Sequence, residues 1–279
     1  MNDVRAALGD AARLLSGVSD TARLDAELLM AHAFGVSREM LLLSRLGDEV
    51  PAEFEALFAR RFGHEPVAYI IGTRDFWTIS LNVTPAVLIP RPDSETLIEA
   101  AVGHFGKAGP KRVLDLGTGS GALLLAALSE WPEASGVGVD ASDVALAVAA
   151  ANAKSLGLAD RAVFALGDWG QGLDERFDLI LCNPPYVESG AALAAEVADY
   201  EPASALFAGE DGLEDYRRLM PQFVRLMACG AIVALEIGVE QAEVVSVLAL
   251  ETGLSTCCFQ DLAGRNRCLL LSQFDHQIN

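Results

Sequence analysis

Little in this chain invites a metal ion or a disulfide. The five cysteines, Cys182, Cys229, Cys257, Cys258 and Cys268, are odd in number and show no C-x-x-C spacing. They read as small core residues of a protein kept in a reducing compartment. The four histidines, His32, His64, His104 and His276, are scattered and form no metal-ligand pattern, so the expected chemistry uses no metal. No apolar run approaches the roughly 18 residues that a membrane span requires. Residues 1–5 bring no basic segment followed by an apolar stretch, so neither membrane attachment nor a secretory leader is expected, and the expected compartment is the cytoplasm. Positive charge is scarce, with 20 Lys and Arg against 39 Asp and Glu and a net charge of −19. Nucleic-acid binders gain affinity by neutralising phosphates with basic side chains, so direct nucleic-acid binding is not expected. The acidity by itself is also what keeps many proteins soluble. Internal repeats and low-complexity stretches are missing as well.

What is present is a chain of 279 residues, 52% of them apolar, enough for a full core in one or two domains. Residues 1–72 read as a small all-helical domain. Val4, Ala7, Leu8, Ala11, Leu14 and Leu15 recur at helical spacing, as do Leu24, Leu28, Leu29 and Ala31 to Phe34. Gly35 closes that second helix, Ser37 caps a third, and Pro51 suits the first turn of a fourth. The run Phe76 to Val83 alternates as a strand within a hairpin-like bridge over residues 73–90. From residue 91 helix and strand alternate. Asp93 or Ser94 caps a helix through His104, and strands are expected at Arg112–Leu116, 136–140, 162–166 and 177–182. A long Glu-, Ala- and Pro-rich loop over 188–212 comes next. A helix over 213–228, a strand over 231–237, a helix over 239–251 and strands over 255–259 and 267–272 complete the pattern. Such alternation predicts an α/β fold: a doubly wound, mostly parallel seven-stranded sheet that binds its ligand beyond the strands' carboxyl ends.

Three motifs sit at those ends. Asp115-Leu116-Gly117-Thr118-Gly119-Ser120-Gly121 joins the first strand of the domain to its helix, and its glycines let a ligand approach the backbone with no Cβ in the way. Asp140 ends the next strand and is placed to accept hydrogen bonds from both hydroxyls of a ribose. Together they predict a bound nucleoside; the G-x-G-x-x-G pattern of dinucleotide sites is altered by Ala122. Gly167-Asp168-Trp169 follows the third strand, where Asp168 can accept from an adenine amino group and Trp169 can stack on the ring or wall it in. The third motif is Asn183-Pro184-Pro185-Tyr186, directly after the apolar run 177–182. The Asn183 side-chain oxygen and the Pro184 carbonyl can accept both hydrogens of a planar NH2 group, orienting a nitrogen that is a poor nucleophile while its lone pair is delocalised. The prolines offer carbonyls with few competing donors, and Tyr186 can lie flat against a planar substrate. This is chemistry for alkylating an amide or an exocyclic amine.

The chain resembles the seven-stranded S-adenosylmethionine-dependent methyltransferases. Among them it is similar to the protein-(glutamine-N5) methyltransferases of bacterial peptide-chain release factors. The resemblance covers almost the whole chain. It runs through Glu65-Pro66-Val67-Ala68-Tyr69-Ile70 with Gly72 and Phe76, Leu88-Ile89-Pro90-Arg91-Pro92-Asp93-Ser94-Glu95, the Gly-rich turn, Asp140, Asp168-Trp169 and Asn183 to Tyr186. It continues with Tyr200-Glu201-Pro202 and with Asp261-Leu262-Ala263-Gly264 and Arg267. One departure is Asp199, where relatives often carry Arg shortly before the Tyr-Glu-Pro element. The resemblance implies S-adenosylmethionine as cofactor, held by Asp115, Gly117, Thr118, Gly119, Ser120, Gly121, Asp140, Asp168, Trp169 and Asn183, with Asp115 helping to fix its ammonium group. It implies that Asn183, Pro184, Pro185 and Tyr186 bind the glutamine of a Gly-Gly-Gln loop, with Asn183, Pro184 and Tyr186 serving the transfer. A release factor is the implied partner, the N-terminal helices are its expected docking element, and the enzyme is expected to be a monomer.

Two neighbouring activities share these motifs. One is methylation of a ribosomal protein's glutamine. The other is adenine-N6 methylation of DNA, which would use the tetrapeptide on a flipped base but would also bring a Lys- and Arg-rich recognition region. A module that only binds S-adenosylmethionine has no use for an amide clamp, and an NAD-dependent oxidoreductase would need an acid or base beside the Gly-rich turn.

Overall fold

The structure, a computed structural model, describes residues 3–274. His276 lies outside the described residues. The chain divides into two compact units: residues 1–73 with 193–201, and residues 74–192 with 202–279.

The N-terminal part of the first unit contains five helices, α1 (Val4–Leu15), α2 (Ala22–Phe34), α3 (Arg38–Ser44), α4 (Glu53–Phe62) and α5 (Val67–Ile71). Of the helical spacing read in the sequence, Val4, Leu8, Leu15 and Leu29 are fully buried in its core together with Met30 and Leu41, whereas Leu14 and Leu24 are exposed. Asp3 caps α1 by accepting from the Ala6 N–H, and Ser37 caps α3 by accepting from the Met40 N–H. Gly35 ends α2 in the left-handed conformation, as a C-terminal glycine does. A buried ion pair, Arg61 Nε to Asp25 Oδ2 at 2.8 Å, ties α4 to α2. The short segment 193–201, which contains α9 (Ala195–Ala198), belongs to this unit through Arg61–Glu196 (2.9 Å) and through Tyr200, whose hydroxyl donates to the Gly63 carbonyl at 2.8 Å. The sequence reading left these residues inside one loop.

The second unit opens on a hairpin of β1 (Thr73–Phe76) and β2 (Ile79–Asn82). The expected single strand from Phe76 to Val83 is therefore broken: the chain reverses at Trp77-Thr78, with Trp77 at φ 54°, a conformation rare for a bulky residue. A seven-stranded sheet follows, built from β3 (Arg112–Leu116), β4 (Ser135–Asp140), β5 (Ala162–Leu166), β6 (Phe177–Cys182), β7 (Met227–Glu236), β8 (Leu254–Gln260) and β9 (Asn266–Gln273). Its order is β5-β4-β3-β6-β7-β9-β8. All pairings are parallel except those of β9 with β7 and β8. The fold class expected from the sequence is borne out.

Helices α6 (Glu95–Phe105), α7 (Ala122–Glu130) and α8 (Asp143–Ser155) supply one layer, and α10 (Glu214–Leu226) with α11 (Ala242–Glu251) the other. In β6, Leu179 and Leu181 join the first core while Ile180 and Cys182 join the second. A strand buried on both faces reads as an unbroken apolar run, which is why these segments were legible.

Two local readings are corrected. Ser94 occupies the N-cap position of α6, but neither its side chain nor that of Asp93 makes a capping hydrogen bond. Residues Pro92–Ser94 form a 3-10 turn with no side-chain cap, and the Asp93 carboxylate instead pairs with Arg265 and Arg267. Of the cysteines, only Cys182 and Cys268 are buried, whereas Cys229, Cys257 and Cys258 are exposed. Among the described residues no helix is long and apolar enough to cross a membrane. No group of three or more His, Cys, Asp or Glu side chains in that range is arranged to hold a metal.

Candidate active site

The strand order reverses between β3 and β6, and at the carboxyl ends of these strands lies a cavity of about 540 Å³. That is where open α/β sheets take ligands, and the volume falls in the ~300–1,000 Å³ range of small-molecule sites. Gly117, Thr118, Gly119 and Ser120 after β3, Asp140 and Ser142 after β4, Gly167 to Trp169 after β5, and Asn183 and Pro185 after β6 line it. Leu88, Pro90, Arg91 and Ser94 close it from the segment before α6, and Asp215 and Arg218 from α10.

The Gly-rich turn is held from below. Asp115 is buried, and its Oδ2 accepts from the Thr118 hydroxyl (2.6 Å) and the Leu124 N–H (3.3 Å). Burial, against the help of these donors, raises its pKa to about 7. Its Oδ1 is buried without a hydrogen-bond partner. Asp115 lies behind the residues that line the cavity. Asn152 in α8, which no sequence signal singled out, fixes the turn from the side. Its amide donates to the Ser120 carbonyl at 2.9 Å and accepts from the Asn82 N–H of β2 at 2.8 Å.

Asp140 is well suited to a diol. Its Oδ2 accepts from the Gly119 N–H (2.8 Å) and its Oδ1 from the Ser142 N–H (2.9 Å). A carboxylate has about four acceptor positions, so each oxygen keeps one for a ligand hydroxyl. Gly117 sits at φ 75°, and a Cβ there would press on the Trp169 ring at 3.1 Å, so the turn and the indole share one close approach. Gly121 closes the turn at φ 84°. It is off the cavity wall, and its missing Cβ makes room for Leu125 and Ala149.

Trp169 lines the cavity in a left-handed backbone conformation (φ 54°), and its indole N–H donates to Asp215 Oδ1 at 3.2 Å. Non-glycine residues held there cluster at ligand sites. Asp168 also reaches the cavity, but its carboxylate is exposed and already committed. Both oxygens accept from Arg218 at 2.7 Å, and Oδ2 also accepts from Gln171 at 2.7 Å. One acceptor position remains for an amino group. Arg218 and Asp215 had no sequence signal, because α10 brings them from nearly fifty residues away.

The tetrapeptide divides. Asn183 and Pro185 face the cavity, whereas Pro184 and Tyr186 do not form its wall. The Asn183 Nδ2 donates to the Ser94 Oγ at 3.3 Å, and among the described residues its Oδ1 accepts no hydrogen bond. The Tyr186 hydroxyl donates to Glu236 Oε1 at 3.3 Å, and burial together with that carboxylate pushes its pKa to about 12. The expectation of a ring lying flat against substrate therefore meets a phenol turned to the end of β7. Glu236 is itself buried, and desolvation raises its pKa to about 7 against the pull of Ser94, Arg267 and Tyr186.

Known proteins match this chain over most of its length. The family described as the PrmC N-terminal domain matches residues 6–72, and that described as a methyltransferase domain matches residues 108–236. The chain is 45% identical over 256 residues to the release factor glutamine methyltransferase of Rhodospirillum rubrum, covering 89% of this chain and 78% of that one. It is 39% identical to the enzyme of the same name from Caulobacter vibrioides, over 92% of both chains, and 39% identical to that of Moorella thermoacetica, over 96% and 97%. Among solved structures, the human Mettl16 catalytic domain with an RNA hairpin superposes with a TM-score of 0.59 at 15% identity, covering 79% of this chain and 83% of that one. A methyltransferase from Pyrococcus furiosus gives 0.54 at 17% identity, over 76% and 95%. At these identities the likeness is one of fold. The sequence relatives, at 39–45% identity over most of both chains, go further: this chain belongs to the release factor glutamine methyltransferase family.

Proposed function

We propose that this chain transfers the methyl group of S-adenosylmethionine to the side-chain amide nitrogen of the glutamine in the Gly-Gly-Gln loop of peptide-chain release factors. The observation that carries the reading is the Asn183 amide. Its NH2 donates to Ser94 and its oxygen is left to accept, on the wall of a cavity that Asp140 also lines.

The residues present fit the donor. Asp140 keeps one acceptor position on each oxygen for the ribose hydroxyls, the Gly117 to Ser120 turn offers backbone without side chains, and Trp169 walls the adenine side. Bound there, S-adenosylmethionine supplies an electrophilic methyl group on a positively charged sulfur. Asn183 Oδ1 would accept one hydrogen of the substrate amide at the cavity wall, and the Pro184 carbonyl would accept the other just outside that wall, orienting the nitrogen for transfer. Acceptors on both hydrogens favour the pyramidal nitrogen, whose lone pair is available for attack. Orientation of this kind contributes ~7–11 kcal/mol in well-aligned systems. The nitrogen would become cationic as the N–C bond forms and the sulfur–methyl bond breaks to leave a neutral thioether, and its surplus proton would then pass to solvent, so no base of the chain is needed to start the reaction.

The relatives' name favours a release factor over a ribosomal protein or DNA as acceptor. The charge of −19 fits a protein acceptor better than a nucleic acid. On the same reading the helical unit, with segment 193–201, serves to dock the substrate protein, and the enzyme acts as a cytoplasmic monomer. A truncated form lacking residues 1–72 tests the docking role. It should keep its rate on a short Gly-Gly-Gln peptide and lose rate on the whole factor; equal rates on both, matching the full chain, would refute it. Purified enzyme with labelled S-adenosylmethionine and a recombinant release factor tests the reaction, with label expected on one glutamine amide and nowhere else.

A further inference from the structure

The two acidic side chains on the Trp169 side of the cavity are not equivalent. Asp168 follows β5, and Asp215 is brought to the same wall by the first turn of α10. The Asp168 side chain is 53% exposed and well supplied with donors: Arg218 Nη2 reaches both of its oxygens and Gln171 reaches Oδ2, each at 2.7 Å. The Asp215 side chain is only 13% exposed. Its Oδ1 accepts from the Trp169 indole N–H at 3.2 Å and from Arg218 Nη1 at 3.3 Å. Among the described residues its Oδ2 accepts no hydrogen bond. A sheltered carboxylate oxygen short of donors is costly, and this one belongs to a residue that lines open cavity. Burial raises the Asp215 pKa against the pull of Arg218 and Trp169, so one more donor would be a net gain.

We infer that Asp215 is a specificity-determining residue for the methyl donor, accepting a hydrogen of the adenine amino group on its Oδ2. The inference rests on the proposed use of S-adenosylmethionine and names the side chain that reads its base. On that reading Asp140 takes the ribose at the end of β4, and the base extends toward Trp169 at the end of β5. Asp215 holds the indole that bounds this space with one oxygen and meets the edge of the base with the other. Asp168 is the outer acid. Arg218 neutralises it and water reaches it, so a hydrogen bond it exchanges with water contributes little to selectivity. The chemistry separates purines by the group at position 6. Adenine presents an NH2, which a carboxylate accepts, whereas hypoxanthine presents a carbonyl oxygen, which a carboxylate repels. An amide at position 215 inverts the preference. Trp169 and Arg218 both donate to Oδ1 and hold the amide oxygen there, so the amide NH2 takes the place of Oδ2 and donates to the carbonyl of hypoxanthine.

The test titrates the full-length enzyme by calorimetry with S-adenosylhomocysteine and with its deaminated form, S-inosylhomocysteine. The wild type should bind the adenine form about tenfold or more tightly, as expected for one hydrogen bond to a charged acceptor. Asp215→Asn keeps the size of the side chain and the acceptor for the indole. It should bind the hypoxanthine form at least as well as the adenine form, and a variant that does so is by that fact folded. Asp168→Asn should weaken both forms alike and keep the wild-type ratio. Should Asp215→Asn bind neither form, Asp215→Ala decides, since alanine neither accepts nor donates and should bring the ratio close to one. A wild-type ratio retained in Asp215→Asn or Asp215→Ala, or lost in Asp168→Asn instead, would overturn the inference and give the base to Asp168. Equal binding of the two forms by the wild type would overturn it too. Binding of neither form by the wild type would remove the proposed methyl donor itself, an outcome distinct from a lost ratio with binding intact.

Discussion

Replacing Glu236 by glutamine should stabilise the protein above neutral pH. A carboxyl group whose pKa rises from 4.5 to about 7 on folding binds its proton more tightly in the native state than in the unfolded chain. Below pH 4.5 both states are protonated and the group imposes no penalty. As pH climbs from 4.5 to 7 the unfolded carboxyl ionises freely while the buried one resists, and stability is lost across that window. Above 7 the full cost remains, about 3 kcal/mol at ~1.4 kcal/mol per tenfold change. Glutamine keeps the volume and an acceptor for Tyr186 without the charge, so the variant should gain most of that energy at pH 8 and nothing near pH 4.5. Asp115 behaves alike but is present in both proteins and cancels. All three tryptophans, Trp77, Trp131 and Trp169, lie in the unit built on the sheet. Urea titration followed by tryptophan fluorescence at pH 5 and pH 8 therefore reads the relevant unit. A variant less stable than wild type at pH 8 would refute the reasoning, since the carboxylate would then stabilise its surroundings more than its burial costs.

Three further perturbations follow from the geometry. Asn183→Ala should lower single-turnover rates at least a hundredfold while donor affinity, measured by calorimetry, stays within threefold; equal losses in both would contradict the clamp. Asp140→Ala should weaken S-adenosylhomocysteine binding at least a hundredfold, because two hydrogen bonds to a charged acceptor, each ~1.5–3 kcal/mol, disappear; a change under threefold in the titrated Kd would remove the diol assignment. Asp25→Ala strips one of two carboxylates from the buried Arg61. It should cost about 2–3 kcal/mol, below the ~3–5 kcal/mol of a charge left alone because Glu196 remains; helical-unit melting followed by circular dichroism would show the loss, and an unchanged midpoint would refute it.

The central strands were legible because they are enclosed on both faces and spell mostly apolar runs, as in Arg112–Leu116 and Phe177–Cys182. The edge strand Ala162–Leu166 was placed residue by residue as well, although Val163 and Leu166 are exposed. The glycines after β3 and the Asn-Pro-Pro-Tyr turn announced themselves through composition. Contacts between distant residues could not. Asn152 reaches both Asn82 and Ser120 from mid-helix, Arg218 takes the Asp168 carboxylate from α10, and Asp93 passes over its helix cap for two arginines on and beside β9. Trp77 turns a hairpin where alternation alone predicted a continuous strand. Glu236, one acid at the end of an apolar strand, carries no local pattern that separates a buried network from a solvated strand end.

The most direct test gives the enzyme labelled S-adenosylmethionine and three acceptors together: a release factor, a ribosomal-protein fraction and duplex DNA. Mass mapping should find the methyl group on the glutamine of the factor's Gly-Gly-Gln loop. Label on DNA adenine, on a ribosomal protein alone, or on a release-factor side chain other than glutamine would contradict the account.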